Sequence, residues 1–210
     1  MGALILWRSR MKIANKYLIA ILSVALLLSV GLNAYDRFVL QPSIQTALNN
    51  KDVNGFNSWW GLMGLMWYYL DNSKTNFDVE NAWKLARIIS EDTTEIFTPT
   101  LESSRLDLAQ NLSSGMTYGA MWLEEGTGAL FSGNKTGSVT ERELDPTELN
   151  MIANLTSVIG NMLNSIRTVS IVENGGSLDQ QLQQNNLLAP LATYCAEMMT
   201  VGQKIYDYYY

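Results

Sequence analysis

The sequence contains no histidine. This absence excludes Ser-His-Asp and Cys-His hydrolysis, because both mechanisms need an imidazole as the general base. It also excludes histidine-ligated zinc and haem sites, the Glu-x-x-His di-iron site of helical bundles, and a pH switch built on histidine. The absence of histidine therefore excludes most of the reactions that helical bundles catalyse. We expect no enzymatic activity, no bound metal and no cofactor.

Cysteine occurs once, at Cys195, so no disulfide can form within the chain. If this segment is helical, Cys195 lies beside Leu191, Met198 and Met199. This position predicts that Cys195 is a small buried hydrophobic residue. A disulfide between two copies of the chain is the alternative.

Charged residues are also scarce, at 16% of the chain against about 25% in a typical domain. All 20 acidic residues, but only 10 of the 14 basic ones, follow residue 34, which gives that segment a charge near −10. Such a surface repels phosphate backbones and anionic lipid headgroups. We therefore expect no nucleic-acid partner.

One long apolar run is present, over residues 17–32 (YLIAILSVALLLSVGL), and four basic residues precede it. The run is slightly shorter than the roughly 20 residues that span a bilayer, and residues 33 and 34 extend it. Basic flanks stay on the cytoplasmic side of a membrane. The sequence predicts a cytoplasmic N-terminus over 1–16, a transmembrane anchor or uncleaved signal over 17–34, and an extracytoplasmic domain over 35–210.

The alternative is a secreted protein, released by cleavage after Ala34. A signal-peptide cleavage site of the A-x-A kind prefers a small residue where this chain has Leu32. This mismatch favours a retained single-pass anchor in the cell membrane.

No stretch after the apolar run alternates with period two, so we predict an all-α fold. The expected architecture is an N-terminal transmembrane helix followed by an extracytoplasmic antiparallel bundle of four long helices plus a shorter one. Proline, glycine and capping residues place the helices at 44–48 before an Asn49-Asn50 break, at 54–70, 76–97, 99–130 and 146–169, and from 178 to the C-terminus with a kink or division at Pro190. The tail 206–210 is expected to fray, with docking onto a partner as the alternative.

The clearest helix start is at Asp145. This residue is a favourable N-cap, Pro146 suits the first helical position, and Glu148 is placed to close a capping box.

The predicted helix over 56–70 is rich in aromatic residues and carries no charge. Three interpretations remain open: a helix at the centre of its bundle, a helix that dips into the outer membrane interface, or the wall of an aromatic ligand pocket or partner groove. The candidate binding residues of this helix are Trp59, Trp60, Trp67 and Tyr68.

A row of amide and hydroxyl side chains follows one face of the predicted helix over 146–169, where Arg167 is the only charged residue between Glu148 and Glu173. The row indicates an ordinary solvated face, a polar lining for an uncharged ligand, or a seam between helices or subunits. Its members are Asn150, Asn154, Ser157, Asn161, Asn164 and Thr168, of which Asn150, Asn154, Asn161 and Asn164 are candidate ligand or partner contacts.

Glycoside hydrolysis needs two carboxylates, and the candidate pairs in this sequence are Glu124-Glu125 and Glu141/Glu143. Adjacent helical residues point in different directions, so a solvated surface is the favoured interpretation of both.

These observations predict a membrane-anchored, extracytoplasmic binding or sensory module without catalytic activity. The alternative is a structural subunit of a membrane or cell-surface assembly. Expected partners are the membrane, through 17–34, a protein partner or a second copy of the chain, and a small uncharged ligand. In layout, the prediction resembles the exported four-helix sensor modules of bacterial and archaeal receptors.

Overall fold

The computed structural model describes residue 24 and residues 26–133, 140–167 and 169–210. The chain divides into two units, Met1–Leu48 and Asn49–Tyr210.

In the first unit, residues 26–35 are helical and a π-helical turn follows at Asp36–Leu40. The apolar side chains of this segment are exposed around the helix, Leu27 to 72% and Phe38 to 74%. Of the predicted transmembrane segment, residues 17–23 and 25 lie outside the described residues. Within the described residues, no helix combines the length and the hydropathy that a membrane span requires.

Seven α-helices are described from residue 41 onward, and a π-helical turn at Thr93–Phe97 joins the second to the third. They are α1 (Gln41–Asp71), α2 (Glu80–Asp92), α3 (Thr98–Glu102), α4 (Asp107–Ser132), α5 (Pro146–Ile166), α6 (Leu178–Gln184) and α7 (Leu188–Tyr209). The described ranges hold no strand, only an isolated bridge between Thr75 and Glu143. The all-α prediction is confirmed.

Two predicted helix boundaries are wrong. The helix α1 continues through Asn49 and Asn50, because the side chain of Asn50 exchanges hydrogen bonds with the side chain (3.2 Å) and the backbone N–H (2.8 Å) of Asn174. Such tertiary contacts outweigh the weak helix propensity of asparagine.

The predicted helix over 99–130 is interrupted between α3 and α4. There the hydroxyl of Ser104 donates to Asp179 (2.6 Å) and accepts from the N–H of Leu106 (3.2 Å), and this local bonding competes with the helix. The last helix divides, as predicted, but the division lies at residues 185–187, where Asn186 has a φ of +55°. Pro190 lies in the first turn of α7, where no backbone donor is lost.

In unit 2, the contacts arrange five segments in a closed order: α1, the segment from α2 through the π turn to α3, then α4, α7 and α5, which returns to α1. The α2–α3 segment runs antiparallel to α1 and to α4, and α5 runs antiparallel to α7 and to α1, whereas α4 and α7 run parallel. The contacts that fix these directions are Asp52–Thr100, Phe56–Phe97, Trp83–Phe131, Thr98–Thr117, Ser165–Tyr194, Asp145–Tyr208, Asn54–Glu173, Trp67–Gly160, Gly115–Ala192 and Gly126–Gly202.

One neighbouring pair of the bundle is parallel, and there is a geometric reason. Five segments in a closed order cannot all alternate in direction, so at least one neighbouring pair must be parallel. Among the described helices, that pair has the most extensive close approach between backbones. Its backbones approach closely because of glycines: a Cβ on Gly202 would lie 2.2 Å from the carbonyl oxygen of Trp122, and one on Gly119 would lie 2.7 Å from that of Cys195.

Cys195 lies in this α4/α7 seam and is buried, which confirms its predicted role as a small core residue. Burial raises the pKa of its thiol to about 12, because the low-dielectric surroundings penalise the thiolate.

Candidate functional site

A shallow groove of about 330 Å³ lies along the seam between α1 and α5. From α1 it is lined by Trp67 and Asp71, which follow each other at helical spacing on the side that faces α5. Gly160 of α5 lets the indole approach, since a Cβ there would lie 3.1 Å from Nε1 of Trp67. The remaining lining residues belong to α5 and are Ala153, Thr156, Ser157, Asn161 and Asn164.

The groove combines one aromatic ring with neutral polar groups. Asn161 and Asn164 are exposed, and within the described residues neither side-chain amide has a hydrogen-bond partner in the protein. Each amide carries donors and an acceptor that a ligand can engage. Asp71, at the end of α1, is the one charged side chain of the lining.

Trp60 lines a second recess of about 260 Å³ on the same seam, two helical turns before Trp67. Here Asn57 donates from Nδ2 to the carbonyl of Ile171 (3.2 Å), which ties α1 to the segment after α5. Arg167 adds a positive charge to this recess. The two recesses therefore differ in charge.

Trp59 lies in the hydrophobic core and not on a ligand-accessible surface. It is 2% exposed, stacks on Phe56 (ring centroids 5.7 Å apart) and contacts Phe97 edge-on (6.2 Å). Its Nε1 is buried and has no hydrogen-bond partner in the described part of the chain.

The interpretation of 56–70 as a helix at the centre of its bundle is wrong. The buried residues of α1 form a single stripe, consisting of Val53, Phe56, Trp59, Met63, Met66 and Leu70. From Ser58 to Tyr68 the opposite face is exposed and uncharged, with Leu65 45% and Tyr68 56% exposed. Tyr68 is thus on the exposed side of α1 and is not part of the groove lining, and its ring contacts Tyr69.

The amide row of α5 is exposed throughout its described length, but it divides into two parts. Asn161 and Asn164 lie beside Trp67 in the groove, whereas Asn150 and Asn154 lie on α5 outside the groove lining. The structure therefore brings together Trp67, Asn161 and Asn164 from the eight candidate residues, with Trp60 in the neighbouring recess.

A polar cluster that the sequence analysis missed holds the C-terminus. The carboxylate of Glu148, 1% exposed, accepts two hydrogen bonds of 2.6 Å from the guanidinium of Arg142, which also contacts the hydroxyl of Tyr209 (3.1 Å). The hydroxyl of Tyr208 donates to Asp145 (2.9 Å), and the predicted capping box is confirmed. The expected frayed tail is wrong, because α7 extends to Tyr209.

No protein-family model, curated protein or solved structure matches this chain.

Proposed function

We propose that this chain is a non-catalytic helical binding module, anchored in a membrane by residues 17–34, whose α1/α5 groove binds a small uncharged ligand on the extracytoplasmic side. The observation that carries the proposal is the position of Trp67 beside the unpaired amides of Asn161 and Asn164.

The chemistry of the groove suits a ligand with an apolar face and several hydroxyl or amide groups. The indole offers a flat apolar surface, and the amides and the hydroxyl of Ser157 offer donors and acceptors. Only Asp71 would favour a charged ligand. At about 330 Å³ the groove is at the small end of ligand sites and is open to solvent, so we expect affinities weaker than about 1 µM.

Membrane anchoring is supported by the described part of the first unit. The described helix of this unit leaves the side chains of Leu26, Leu27, Leu28 and Leu32 exposed. Lipid is a natural cover for such a surface. The basic residues before the run and the acidic remainder after it support an outward-facing C-terminal domain.

Thermal unfolding of the full chain in mild detergent tests the groove, with a panel of neutral sugars, polyols and amides as probes. A ligand at 100 times its Kd stabilises the folded state by about 2.7 kcal/mol, which shifts the Tm by several degrees. The substitutions Trp67→Leu and Asn161→Ala are expected to abolish the shift. Asn150→Ala, from the same row but outside the groove, is the matched control and is expected to retain it.

The proposal is wrong if no member of the panel shifts the Tm, or if Trp67→Leu leaves a shift unchanged. The topology has a separate test: a tag after Tyr210 should be digested by protease added to intact cells, and a protected tag would refute the outward-facing domain.

A second candidate, a structural subunit of a membrane assembly, is favoured by the outer face of α1. That face carries Ser58, Gly61, Leu65 and Tyr68 and no charge, and uncharged exposed helix faces are typical of interfaces. Sedimentation of the full chain in mild detergent tests it. Oligomers that Leu65→Glu dissociates would support it, and a monomer would contradict it.

A further inference from the structure

A recess of about 320 Å³ lies where α2, α4 and α7 meet, and it shares no residue with the α1/α5 groove. Gly128, Ala129 and Ser132 of α4 form part of its lining. The rest of the lining consists of three aromatic residues and two carboxylates. The rings belong to Trp83, Tyr206 and Tyr210, and the carboxylates to Glu124 and Glu125.

The rings are held in position by neighbouring aromatic side chains. Tyr206 stacks on Tyr210 with centroids 4.7 Å apart and meets Trp122 edge-on at 5.7 Å. Trp83 stacks on Phe131 at 5.2 Å with an interplanar angle of 15°. Rings that are already ordered lose little conformational freedom when a ligand binds.

Gly128 creates the space for the tryptophan. A Cβ at this position would lie 3.0 Å from Nε1 of Trp83, closer than a comfortable van der Waals contact. The pyrrole edge of the indole, at Nε1 and Cδ1, is therefore the part of the ring that lies closest to this position on α4.

The two carboxylates lack a cationic partner within the described residues. The ion pairs found there are Lys84–Glu80, Arg87–Glu91 and Arg142–Glu148, and none involves Glu124 or Glu125. The described residues also contain no group of three potential metal ligands. The recess thus offers negative charge next to aromatic rings, without the ligand set that a bare metal ion needs.

From this geometry we infer that the recess binds a small organic ammonium cation. An aromatic ring attracts a cation through the negative potential of its faces, and quaternary ammonium groups are recognised by cages of such rings. The carboxylates of Glu124 and Glu125 add direct charge attraction. A recess of this size accommodates a trimethylammonium group with a short substituent.

Choline is the probe, and 3,3-dimethylbutan-1-ol, which has the same shape without the charge, is the control ligand. Each is titrated at constant ionic strength into the full chain in mild non-ionic detergent, with calorimetry and tryptophan fluorescence as readouts. We expect saturable binding of choline with a Kd on the order of 1 mM, and at least about tenfold weaker binding of the alcohol. Absence of saturable choline binding, or equal binding of both ligands, overturns the inference.

Two variants locate the binding. Tyr210→Ala removes an exposed ring at the chain end, and Glu125→Gln removes an exposed charge, so neither disturbs the core. Each is expected to weaken choline binding by about fivefold or more. Tyr118→Ala, an exposed tyrosine elsewhere on α4, is the matched control and should bind like the unmodified chain. Unchanged affinity in both Tyr210→Ala and Glu125→Gln would refute this location.

Trp67→Leu separates this inference from the proposed function. That substitution alters the α1/α5 groove and is expected to leave choline binding unchanged. Loss of choline binding in Trp67→Leu would contradict the assignment of the cation to the α2/α4/α7 recess.

Discussion

The substitution Gly202→Ala should destabilise the protein strongly, although alanine is the better helix former. An added Cβ would lie 2.2 Å from the carbonyl oxygen and 2.6 Å from the carbonyl carbon of Trp122, both backbone atoms of α4. No side-chain rotation relieves such a contact. The helices α4 and α7 must separate by about 1 Å before it approaches an ordinary van der Waals distance.

The expected magnitude follows from two opposing terms. Overpacking costs up to about 3 kcal/mol, and more where backbone must move, while replacing glycine by alanine in a helix contributes about 1 kcal/mol of stability. The net loss is about 2 kcal/mol or more, which lowers the Tm by at least about 4 °C for a chain of this length.

Gly61→Ala is the matched control. Gly61 is also helical, and no atom lies within 4 Å of the position that its Cβ would occupy. Only the propensity term acts there, so the Tm should rise by about 1–4 °C. Circular dichroism at 222 nm during heating and in urea measures both variants. A Gly202→Ala protein as stable as the unmodified chain would refute the close approach of α4 and α7.

Three further predictions concern single side chains. Asn76 is 1% exposed and hydrogen-bonds three backbone groups of residues 131–142, so Asn76→Ala should cost about 2–4 kcal/mol in urea unfolding, whereas exposed Asn72→Ala should change stability by less than about 0.5 kcal/mol. The thiol of Cys195, with its pKa raised to about 12, should resist iodoacetamide at neutral pH until the protein unfolds, and rapid native alkylation would contradict its burial. Hydrogen bonds from two backbone N–H groups lower the pKa of Asp78, so the stability that its ionised form contributes is present above about pH 4, the pKa of an unfolded aspartate, and is lost as the pH falls through the lowered value. Asp78→Asn should therefore unfold with a weaker acid dependence below pH 4 than the unmodified chain, and identical acid profiles would contradict this assignment.

The features that sequence analysis predicted correctly depend on neighbouring residues along the chain. The capping box at Asp145 and Glu148 needs only a spacing of three residues, and it is present in the structure. Helical periodicity likewise predicted the all-α class. The break predicted at Asn49-Asn50 is absent, and the break between α3 and α4 was not predicted. In each case a distant residue makes the deciding contact, Asn174 with Asn50 and Asp179 with Ser104.

The candidate groove likewise depends on contacts between residues that are distant in the sequence. The sequence indicated the aromatic residues of α1 and the amide row of α5, but no periodicity shows which helix lies next to which. Trp59 and Trp60 are adjacent in sequence, yet one enters the core and the other faces the α5 seam. Gly160, which admits the indole of Trp67, carries no signal of its own in the sequence.

The parallel pair α4/α7 is a property of the whole arrangement. Short connections between successive helices favour antiparallel packing, and the successive long helices here do run in opposite directions. With five segments in closed order, however, at least one neighbouring pair must be parallel. Here that pair is α4 and α7, whose glycines permit a close approach of the two backbones. The parallel contact between α4 and α7 therefore depends on four glycines, Gly115, Gly119, Gly126 and Gly202. Substitutions at these positions should affect the packing of the whole bundle and not only one local contact.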